Sequence, residues 1–580
     1  MQKRKHANMY QPSNFISTGT KINAWDDLKP HFDILINREI SSQDDLVTLI
    51  THYSELFSVF EEDYAWSYIN MSCHTENNDY VKKYEKFASV IEPEFSKAAN
   101  VLTKKIVAHP QFSQLDSARF GQLSKLFKRE LDMFCDKNVP LNAELSKMSS
   151  QYDQVAGGLT ANIDGKDLPM PMAGTRLLSS DREVRKNAWL AMQESRYAKK
   201  EEFDTLYSDM VKLRHEVAVN TGYDNFRDYQ HDNLHRFDYT PDDALGFHNA
   251  VETCVKPLAL SIHTKHCEKL GLDVSDYRPW DGSGEPEGQT PLKPFDGGEE
   301  LTAKAIDIFS ILKFEFGENL KAMDKNNLFD LDSRKGKSPG GYNYPLEVTG
   351  MPFIFMNAAG TQRDVTTMMH EGGHAMHTFL CNEEPLMQYR ETPSEMAETA
   401  SMSMELMTSP YWDKFYNKED HIRARREHLE GIITFFPWCA TVDAMQHWVY
   451  LHPEHTTEER DSHFVELTKR FGSCVNWDGF EQYQRNGWQR QGHIFGVPFY
   501  YIEYGIAQLG ALQVYRNFIK NNKEGLDGYI KGLKMGNSKP IPEVWENMGI
   551  KFDFSADTIK ELMEFVQEEL DKLDVDICVV

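Results

Sequence analysis

Apolar residues recur every three or four positions along most of the chain, with charged residues between them. This spacing places the apolar side chains on one face of a helix. Ser180 and Asp181 stand directly before one such segment, where N-cap residues are expected. The pattern therefore predicts a mainly α-helical protein, and the clearest helical segments are 84–106, 115–135, 182–220, 302–317, 394–408 and 556–573.

Two stretches depart from this pattern. Residues 341–358 hold aromatic and β-branched side chains in two short runs, separated by the turn-like pair Thr349-Gly350. Residues 276–300 are rich in glycine, proline and acidic residues, which is typical of an irregular connection. We therefore expect one small β-sheet, built from a hairpin directly before the helix that carries the motif described below.

Composition narrows the class of protein. A chain of 580 residues with 40% hydrophobic residues can bury a large core, and its length suggests roughly two to four structural units. The net charge of −26 argues against nucleic-acid binding, since phosphate recognition needs an excess of lysine and arginine. No apolar run reaches the roughly 18 residues of a membrane span, and the basic N-terminus lacks the apolar stretch of a secretory signal. The eight cysteines are dispersed without a CxxC pair, so we expect reduced thiols in a cytoplasmic, globular protein that binds neither nucleic acid nor membrane.

Residues 370–374 read His-Glu-Gly-Gly-His. On a helix, His370 and His374 lie on the same face, so their imidazoles can bind one tetrahedral zinc ion. Glu371 lies about 100° round the helix, beside the metal, where it can take a proton from an activated water. Gly372 and Gly373 each cost about 1 kcal/mol relative to alanine in a helix. We therefore expect substrate or another backbone to approach this helix closely.

The third metal ligand separates subclasses of zinc peptidase. A HExxHxxGxxH motif would need glycine and histidine at the positions of His377 and Leu380, so that subclass is excluded. His377 is predicted to be structural or to support a ligand. A glutamate from a following helix is the alternative, and residues 393–408 offer Glu395, Glu398 and Glu405. We favour Glu398, which has small residues around it that permit close helix packing, and the other two remain candidates to orient the histidines.

Residues 493–504, HIFGVPFYYIEY, combine one histidine with three tyrosines. Hydrolysis of an amide develops negative charge on the carbonyl oxygen, which hydrogen-bond donors must stabilise in the transition state. Tyr501 and Tyr504 are three positions apart, so on a helix their hydroxyls point to a common side. Together with His493 they are candidate donors to this oxyanion.

Three segments resemble the thimet oligopeptidase and oligoendopeptidase F family of zinc peptidases. They are DVTTMMHEGGHAMH at 364–377, PSEMAETASMSMEL at 393–406 and GHIFGVPFYYIEYGIAQLGALQ at 492–513. The resemblance covers roughly residues 180–515. It departs from the family pattern at Gly372, where a bulkier apolar residue is usual.

The resemblance implies a mainly helical, prolate fold in which two lobes face each other across a deep channel. Residues 1–180 would form an N-terminal helical region in one channel wall, and residues 181–580 the catalytic region. Access through a channel limits substrates to short, unfolded peptides. The chain would act as a monomer or a homodimer.

The resemblance also implies residue roles. One Zn²⁺ per chain would be held by His370, His374 and Glu398. The strand 352–357 would pair with the extended substrate backbone, and a loop at 340–342 would close on it. The expected substrate-binding residues are Gly340, Gly341, Tyr342, Phe353, Phe355 and Tyr500.

The mechanism expected from these residues is hydrolysis of internal peptide bonds. Glu371 acts as general base towards a zinc-bound water and then gives a proton to the leaving amine, while His493 and Tyr504, with Tyr501, stabilise the oxyanion. A related dipeptide-releasing enzyme or carboxypeptidase is the nearest alternative, and it would need a cation for the substrate carboxylate. A catalytically silent peptide-binding scaffold is the other alternative, and the presence of Glu371 argues against it.

Overall fold

A computed structural model describes residues 15–578 of the chain, with side chains to residue 574. The basic N-terminal segment, in which the sequence predicts no secretory signal, lies almost wholly outside these residues. The helices of the first half are α1 Lys29–Asn37, α2 Gln43–Cys73, α3 Asn78–Lys86, α4 Glu92–Ala108, α5 Ser117–Met133, α6 Asn138–Gly157, α7 Met170–Gly174, α8 Arg182–Tyr197, α9 Lys200–Asn220, α10 Phe226–Asn233, α11 Pro241–Ala250 and α12 Lys256–Lys269.

The second half carries the motifs. Its helices are α13 Gly298–Leu312, α14 Phe314–Lys325, α15 Gln362–Cys381, α16 Met387–Arg390, α17 Ser394–Thr408, α18 Lys418–Leu451, α19 Thr457–Phe471, α20 Glu481–Arg485, α21 Gly492–Gly496, α22 Tyr501–Lys520, α23 Asn522–Leu533, α24 Ile541–Met548 and α25 Ala556–Cys578. The strands are β1 Thr160–Ile163, β2 Lys166–Pro169, β3 Phe329–Asp332, β4 Tyr342–Leu346 and β5 Met351–Ala358.

The mainly helical prediction is confirmed, and the departures from it are local. The predicted helix at 182–220 is two helices, because the chain turns at Ala198 and Lys199 between α8 and α9. The predicted helix at 302–317 breaks at Lys313, whose backbone is extended between α13 and α14. Asp181 caps α8 as expected, since its side chain accepts a hydrogen bond from the Glu183 backbone N–H.

The predicted hairpin is also confirmed. Strands β4 and β5 pair antiparallel, and Gly350 supplies the left-handed backbone of the turn between them, with φ at 67°. The sheet has a third strand, β3, which pairs parallel to β5. A separate two-stranded sheet, β1 with β2, lies earlier in the chain. Periodicity did not reveal β1, β2 or β3, since strands of four residues are too short to show an alternation.

Strand order corrects one expectation. The order is β3–β5–β4, so β5 is the central strand, with β4 beside residues 351–355 and β3 beside residues 354–358. An extended peptide can add only to a free strand edge. Along residues 352–357 the edges of β5 are therefore largely occupied, which leaves little room for the pairing with substrate that the family resemblance implied.

Two hydrophobic cores organise the described residues. The larger contains apolar side chains of the three-stranded sheet and of α15, α17, α18 and α22. The smaller contains side chains of α1, α2, α4 and α5, together with Leu386 and Tyr389. The Tyr389 hydroxyl donates to the Arg119 backbone carbonyl and accepts from the Leu123 backbone N–H, which ties the segment after α15 to the N-terminal helices.

Several composition-based expectations can be compared with this fold. The seven cysteines from Cys73 to Cys474 are free thiols, and the Cys578 side chain is outside the described set. Residues 277–297, between a short 3₁₀ turn and α13, form the irregular connection predicted there. Over residues 15–578, no helix combines the length and apolar character needed to cross a bilayer.

Candidate metal centre and active site

Helix α15 presents the two motif histidines on one face. It begins after Thr361, whose backbone N–H and hydroxyl both donate to the Asp364 carboxylate, while the Asp364 backbone N–H donates to the Thr361 carbonyl. The rings of His370 and His374 are 4.8 Å apart, centre to centre. Each side chain is 17% exposed, so both imidazoles are accessible from one side.

Glu398, on α17, meets both imidazoles. Its Oε2 lies 3.1 Å from His370 Nε2 and 3.5 Å from His374 Nε2. One ligand atom from each residue falls within a group no wider than 4.8 Å. This arrangement suits a tetrahedral metal with two nitrogen ligands and one oxygen ligand.

The two other candidate glutamates lie elsewhere. Glu405 accepts from His370 Nδ1 at 2.6 Å with one oxygen and from His428 Nε2 at 2.9 Å with the other. The first bond places the His370 proton on Nδ1 and leaves Nε2 free to bind a metal. Glu395 instead accepts from the Tyr239 hydroxyl at 2.7 Å.

The remaining motif histidine is not part of this cluster. His377 is buried and is not among the three clustered side chains. Burial lowers its pKa to about 3, so the ring is neutral at pH 7, and its structural or ligand-supporting role stays a prediction.

The motif glycines permit close packing of three helices. A Cβ atom at Gly373 would lie 2.6 Å from the Ser401 Cα and 2.9 Å from the Ala400 carbonyl oxygen. A Cβ at Gly372 would lie 2.4 Å from the phenyl ring of Phe309 on α13. The close approach expected from the sequence is thus made by α17 and α13, and it brings Glu398 to the histidines.

Glu371 is buried beside the histidines with spare hydrogen-bonding capacity. The residue is 5% exposed, and no described residue bonds its Oε2. Burial raises the pKa of its carboxyl group. Gly341 lies so near that a Cβ there would be 3.5 Å from Glu371 Oε1. A buried carboxylate oxygen without a donor is costly unless a ligand or water serves it.

His493 and the tyrosines form a second group. His493 Nε2 lies 3.1 Å from the Tyr504 hydroxyl, and the rings of Tyr501 and Tyr504 lie 5.2 and 5.6 Å from the His493 ring. Burial lowers the pKa of His493 to about 4, so its ring is neutral at pH 7. Burial also raises the pKa of Tyr504 well above its ordinary value, which keeps the hydroxyl protonated.

Tyr500 differs from its neighbours. Its hydroxyl donates to Glu398 Oε1 at 2.6 Å, so this side chain supports the third candidate ligand.

The residue before Tyr500, Phe499, has a left-handed backbone with φ at 67°, which is strained for a bulky side chain. Gln446 accepts from the Phe499 N–H and Arg236 donates to its carbonyl, and these bonds hold the strained turn.

Some of the expected substrate-binding residues lie in the core, and others lie beside the site. Phe353 and Phe355 are buried in the core, which contradicts a direct contact of either side chain with substrate. Tyr342 stacks on Phe355 at 4.8 Å, and its hydroxyl shares a hydrogen bond with Ser72 of α2. Gly340 and Gly341 stay beside the site, since Gly341 adjoins Glu371.

The sequence interpretation missed several supporting residues. His428 on α18, which bonds Glu405, has no characteristic spacing from the motif. Tyr500 was expected at the substrate and instead bonds Glu398. Gln446 and Arg236, which hold Phe499, come from distant segments. Such contacts depend on tertiary packing, and no local pattern signals them.

Within the described part of the chain, one other group has metal-like geometry. His248 on α11 and Asp443 and His447 on α18 place one ligand atom each within 4.8 Å of one another. Asp443 Oδ2 lies 2.7 Å from His248 Nε2 and 3.2 Å from His447 Nε2. All three side chains are buried.

Comparison with known proteins identifies related chains. The chain is 22% identical over 543 residues to the group B oligopeptidase PepB of Streptococcus agalactiae, covering 87% of this chain and 86% of that protein. It is 23% identical over 434 residues to the chromosomal oligoendopeptidase F of Lactococcus lactis, covering 71% and 69% of the two chains.

Solved structures share the fold over nearly the whole length. PZ peptidase A, solved with an inhibitor, superposes with a TM-score of 0.90 at 26% identity, covering 97% of this chain and 98% of that chain. A structure described as a putative oligoendopeptidase F also gives a TM-score of 0.90, at 25% identity over 97% of both chains. Residues 19–134 match the peptidase M3 N-terminal domain, and residues 176–564 match peptidase family M3. The chain therefore belongs to peptidase family M3 and is a metallo-oligopeptidase, as its motifs predicted.

Proposed function

We propose that this protein is a zinc-dependent oligoendopeptidase that hydrolyses internal bonds of short, unfolded peptides. The observation that carries the proposal is the convergence of Glu371, with its unpartnered buried oxygen, on the cluster of His370, His374 and Glu398. A binding protein would have no use for a buried, unpartnered carboxylate at this point.

The residues present fit zinc. Two imidazole nitrogens and one carboxylate oxygen are the ligand set of catalytic zinc sites that keep a fourth position open. Glu405 holds His370 with Nε2 unprotonated, as binding requires. When bound, one zinc ion per chain would supply Lewis-acid activation of a water and of the substrate carbonyl.

Glu371 serves as the base in this proposal. Its carboxylate takes a proton from the attacking water and later delivers a proton to the leaving amine. Burial raises its pKa, which makes the carboxylate a stronger base towards the attacking water. The burial that raises the pKa also excludes bulk water, which strengthens local electrostatic interactions.

His493 and Tyr504 donate hydrogen bonds to the oxyanion. Both are neutral donors at pH 7, because burial lowers the pKa of His493 to about 4 and raises that of Tyr504. Preorganised neutral donors in a dry site stabilise developing charge without reorganising. Tyr501, beside both of them, is a further donor candidate.

The substrate class and location follow from relatives and composition. The related proteins are named oligopeptidases and oligoendopeptidases, which supports short peptides as substrates here. Free thiols support a reducing, cytoplasmic location. We assign the loop at Gly340 and Gly341 to the substrate because it adjoins Glu371.

The test uses a fluorogenic peptide blocked at both ends. An endopeptidase cleaves it, a chelator stops the cleavage, and added zinc restores it. An enzyme that acts only on free termini leaves the blocked peptide intact while it degrades the unblocked form, and that result would replace the endopeptidase assignment with the dipeptide-releasing alternative. No cleavage of either peptide by the zinc-loaded protein would favour the silent scaffold.

A further inference from the structure

A series of side-chain hydrogen bonds leads from Trp438 on α18 to the candidate oxyanion donors. Trp438 Nε1 lies 3.1 Å from Gln491 Oε1. Gln491 Nε2 lies 2.7 Å from His493 Nδ1. On the other side of the imidazole, His493 Nε2 lies 3.1 Å from the Tyr504 hydroxyl. Every member lies in partly buried surroundings.

The chemistry of the first two members sets the direction of the whole series. An indole N–H can only donate, so Trp438 must face the oxygen of the Gln491 amide. The amide nitrogen can only donate, so it faces a His493 Nδ1 that must accept. Turning the amide over would place its NH₂ group against the indole N–H, donor against donor. The ring proton of neutral His493 must therefore be on Nε2.

We propose that Gln491 is a positioning residue that holds His493 in the tautomer protonated at Nε2, with Trp438 fixing the orientation of the Gln491 amide. The inference rests on the proposed function, in which His493 and Tyr504 stabilise the oxyanion. It adds two residues, outside the metal motif, on which the protonation of that donor pair depends.

The tautomer also decides what Tyr504 can do. With the proton on His493 Nε2, the imidazole N–H donates to the Tyr504 oxygen while no substrate is bound and turns to the oxyanion when it forms. The phenol keeps its own proton for the same substrate oxygen. With the proton on Nδ1, the bare Nε2 would accept the phenol proton and withdraw it from the oxyanion. A single change of tautomer would thus remove two donors from the reacting centre.

Nitrogen NMR on the zinc-loaded enzyme measures the tautomer without reference to activity. In protein labelled with ¹⁵N-histidine, the resonances of His493 are those absent from a His493→Gln variant. We expect a protonated, pyrrole-like Nε2 and an unprotonated, pyridine-like Nδ1. Gln491→Glu should reverse this pattern, because a carboxylate accepts from Nδ1–H. A wild-type ring protonated at Nδ1 would overturn the proposal.

Kinetics then test whether the tautomer matters. Gln491→Leu should lower kcat about 10- to 100-fold, somewhat less than deletion of one oxyanion donor, with little change in KM. Gln484→Leu is the matched control, since Gln484 is also partly buried and its amide bonds Thr468 away from the site. Its kcat should equal that of the wild type. An unchanged kcat in Gln491→Leu would overturn the positioning role.

The oxyanion role of His493 and the positioning role of Gln491 can fail separately, and the variants distinguish the two cases. If His493→Ala retains full activity, the oxyanion role in the proposed function is wrong, whatever tautomer the NMR shows. If His493→Ala lowers kcat but Gln491→Leu has the kcat of the wild type, the oxyanion role is supported and only the positioning role is wrong.

Discussion

The chain contains two clusters of histidine and carboxylate that look alike in outline. In one, His370 and His374 are four residues apart on α15 and meet Glu398 from α17. In the other, Asp443 and His447 are four residues apart on α18 and meet His248 from α11. In both, two imidazole Nε2 atoms face one carboxylate oxygen.

The clusters differ in what surrounds them. His370 Nδ1 donates to Glu405, which leaves Nε2 available to a metal. Among the described residues, neither His248 Nδ1 nor His447 Nδ1 has a hydrogen-bond partner, and aromatic rings lie beside both imidazoles. A metal on their Nε2 atoms would leave two buried N–H groups without acceptors, which is costly.

The second cluster is better explained as a hydrogen-bonded tie. With both protons on Nε2, His248 and His447 donate to Asp443 and join α11 to α18. In the function proposed above, the same spacing of residue types would serve a metal in one place and packing in another. The two clusters are distinguished by whether the histidine Nδ1 atom has a hydrogen-bond acceptor, and not by the spacing of the residues.

The largest contrast should come from a matched pair of amide substitutions. Glu398→Gln weakens the carboxylate ligand, so zinc should be lost on dialysis and turnover should fall to the limit of detection. Asp443→Asn should retain one zinc per chain and most of the turnover. Metal analysis and peptide cleavage measure both. Two zinc ions in the wild type, one of them lost in Asp443→Asn, would show that the second cluster also binds metal.

The next effect concerns the support of His370. Glu405→Gln should weaken zinc binding about 10- to 100-fold, because the Nδ1–H bond that orients the ring becomes weaker. Competition with a chelator of known affinity measures the change. An unaltered zinc affinity would remove the distinction between the clusters drawn above.

A smaller effect tests the close contact of α15 with α17. Gly373→Ala should destabilise the fold by about 1–3 kcal/mol, since the new methyl meets the backbone of Ala400 and Ser401. Gly431→Ala is the control, in the interior of α18 with open space around it, and it should stabilise by up to about 1 kcal/mol. Denaturant unfolding of both variants checks the signs. Equal effects would mean that the contact is less tight than described.

The smallest expected effect is on the pH dependence of stability. Burial lowers the pKa of His248, so below about pH 6.5 the unfolded state binds a proton that the folded state does not, and stability falls. The carboxyl of Asp443, its pKa held low by the two histidines against the effect of burial, keeps its contribution until the pH falls below about 4, which is outside this range. His248→Gln should therefore show a shallower loss of stability between pH 7 and pH 5. A steeper loss would contradict the neutral tie.

Part of this picture could be predicted from the sequence, for physical reasons. The helix of His370 and His374, the hairpin before it and the choice of Glu398 follow from local periodicity and from the small residues on α17. The third strand, β3, and its pairing with β5 depend on a contact between distant segments. For that reason Phe353 and Phe355 were misplaced at the substrate, although they lie in the core.

The contacts that support the site could not be predicted from the sequence either, because they also join distant segments. His428 reaches Glu405 from α18, and the Tyr500 hydroxyl reaches Glu398 from the start of α22. The left-handed Phe499 that places Tyr500 is held by bonds from α18 and from the segment after α10. A motif specifies the residue types of a site, and packing from elsewhere selects their partners.

The central claim is that Glu371 is the base beside a zinc ion held by His370, His374 and Glu398. The most direct measurement is zinc content and turnover of Glu371→Gln, which keeps the side-chain shape and removes the base. The account predicts one zinc per chain, as in the wild type, and a kcat lower by about 10²–10⁴-fold. Full turnover at normal zinc content would contradict the account.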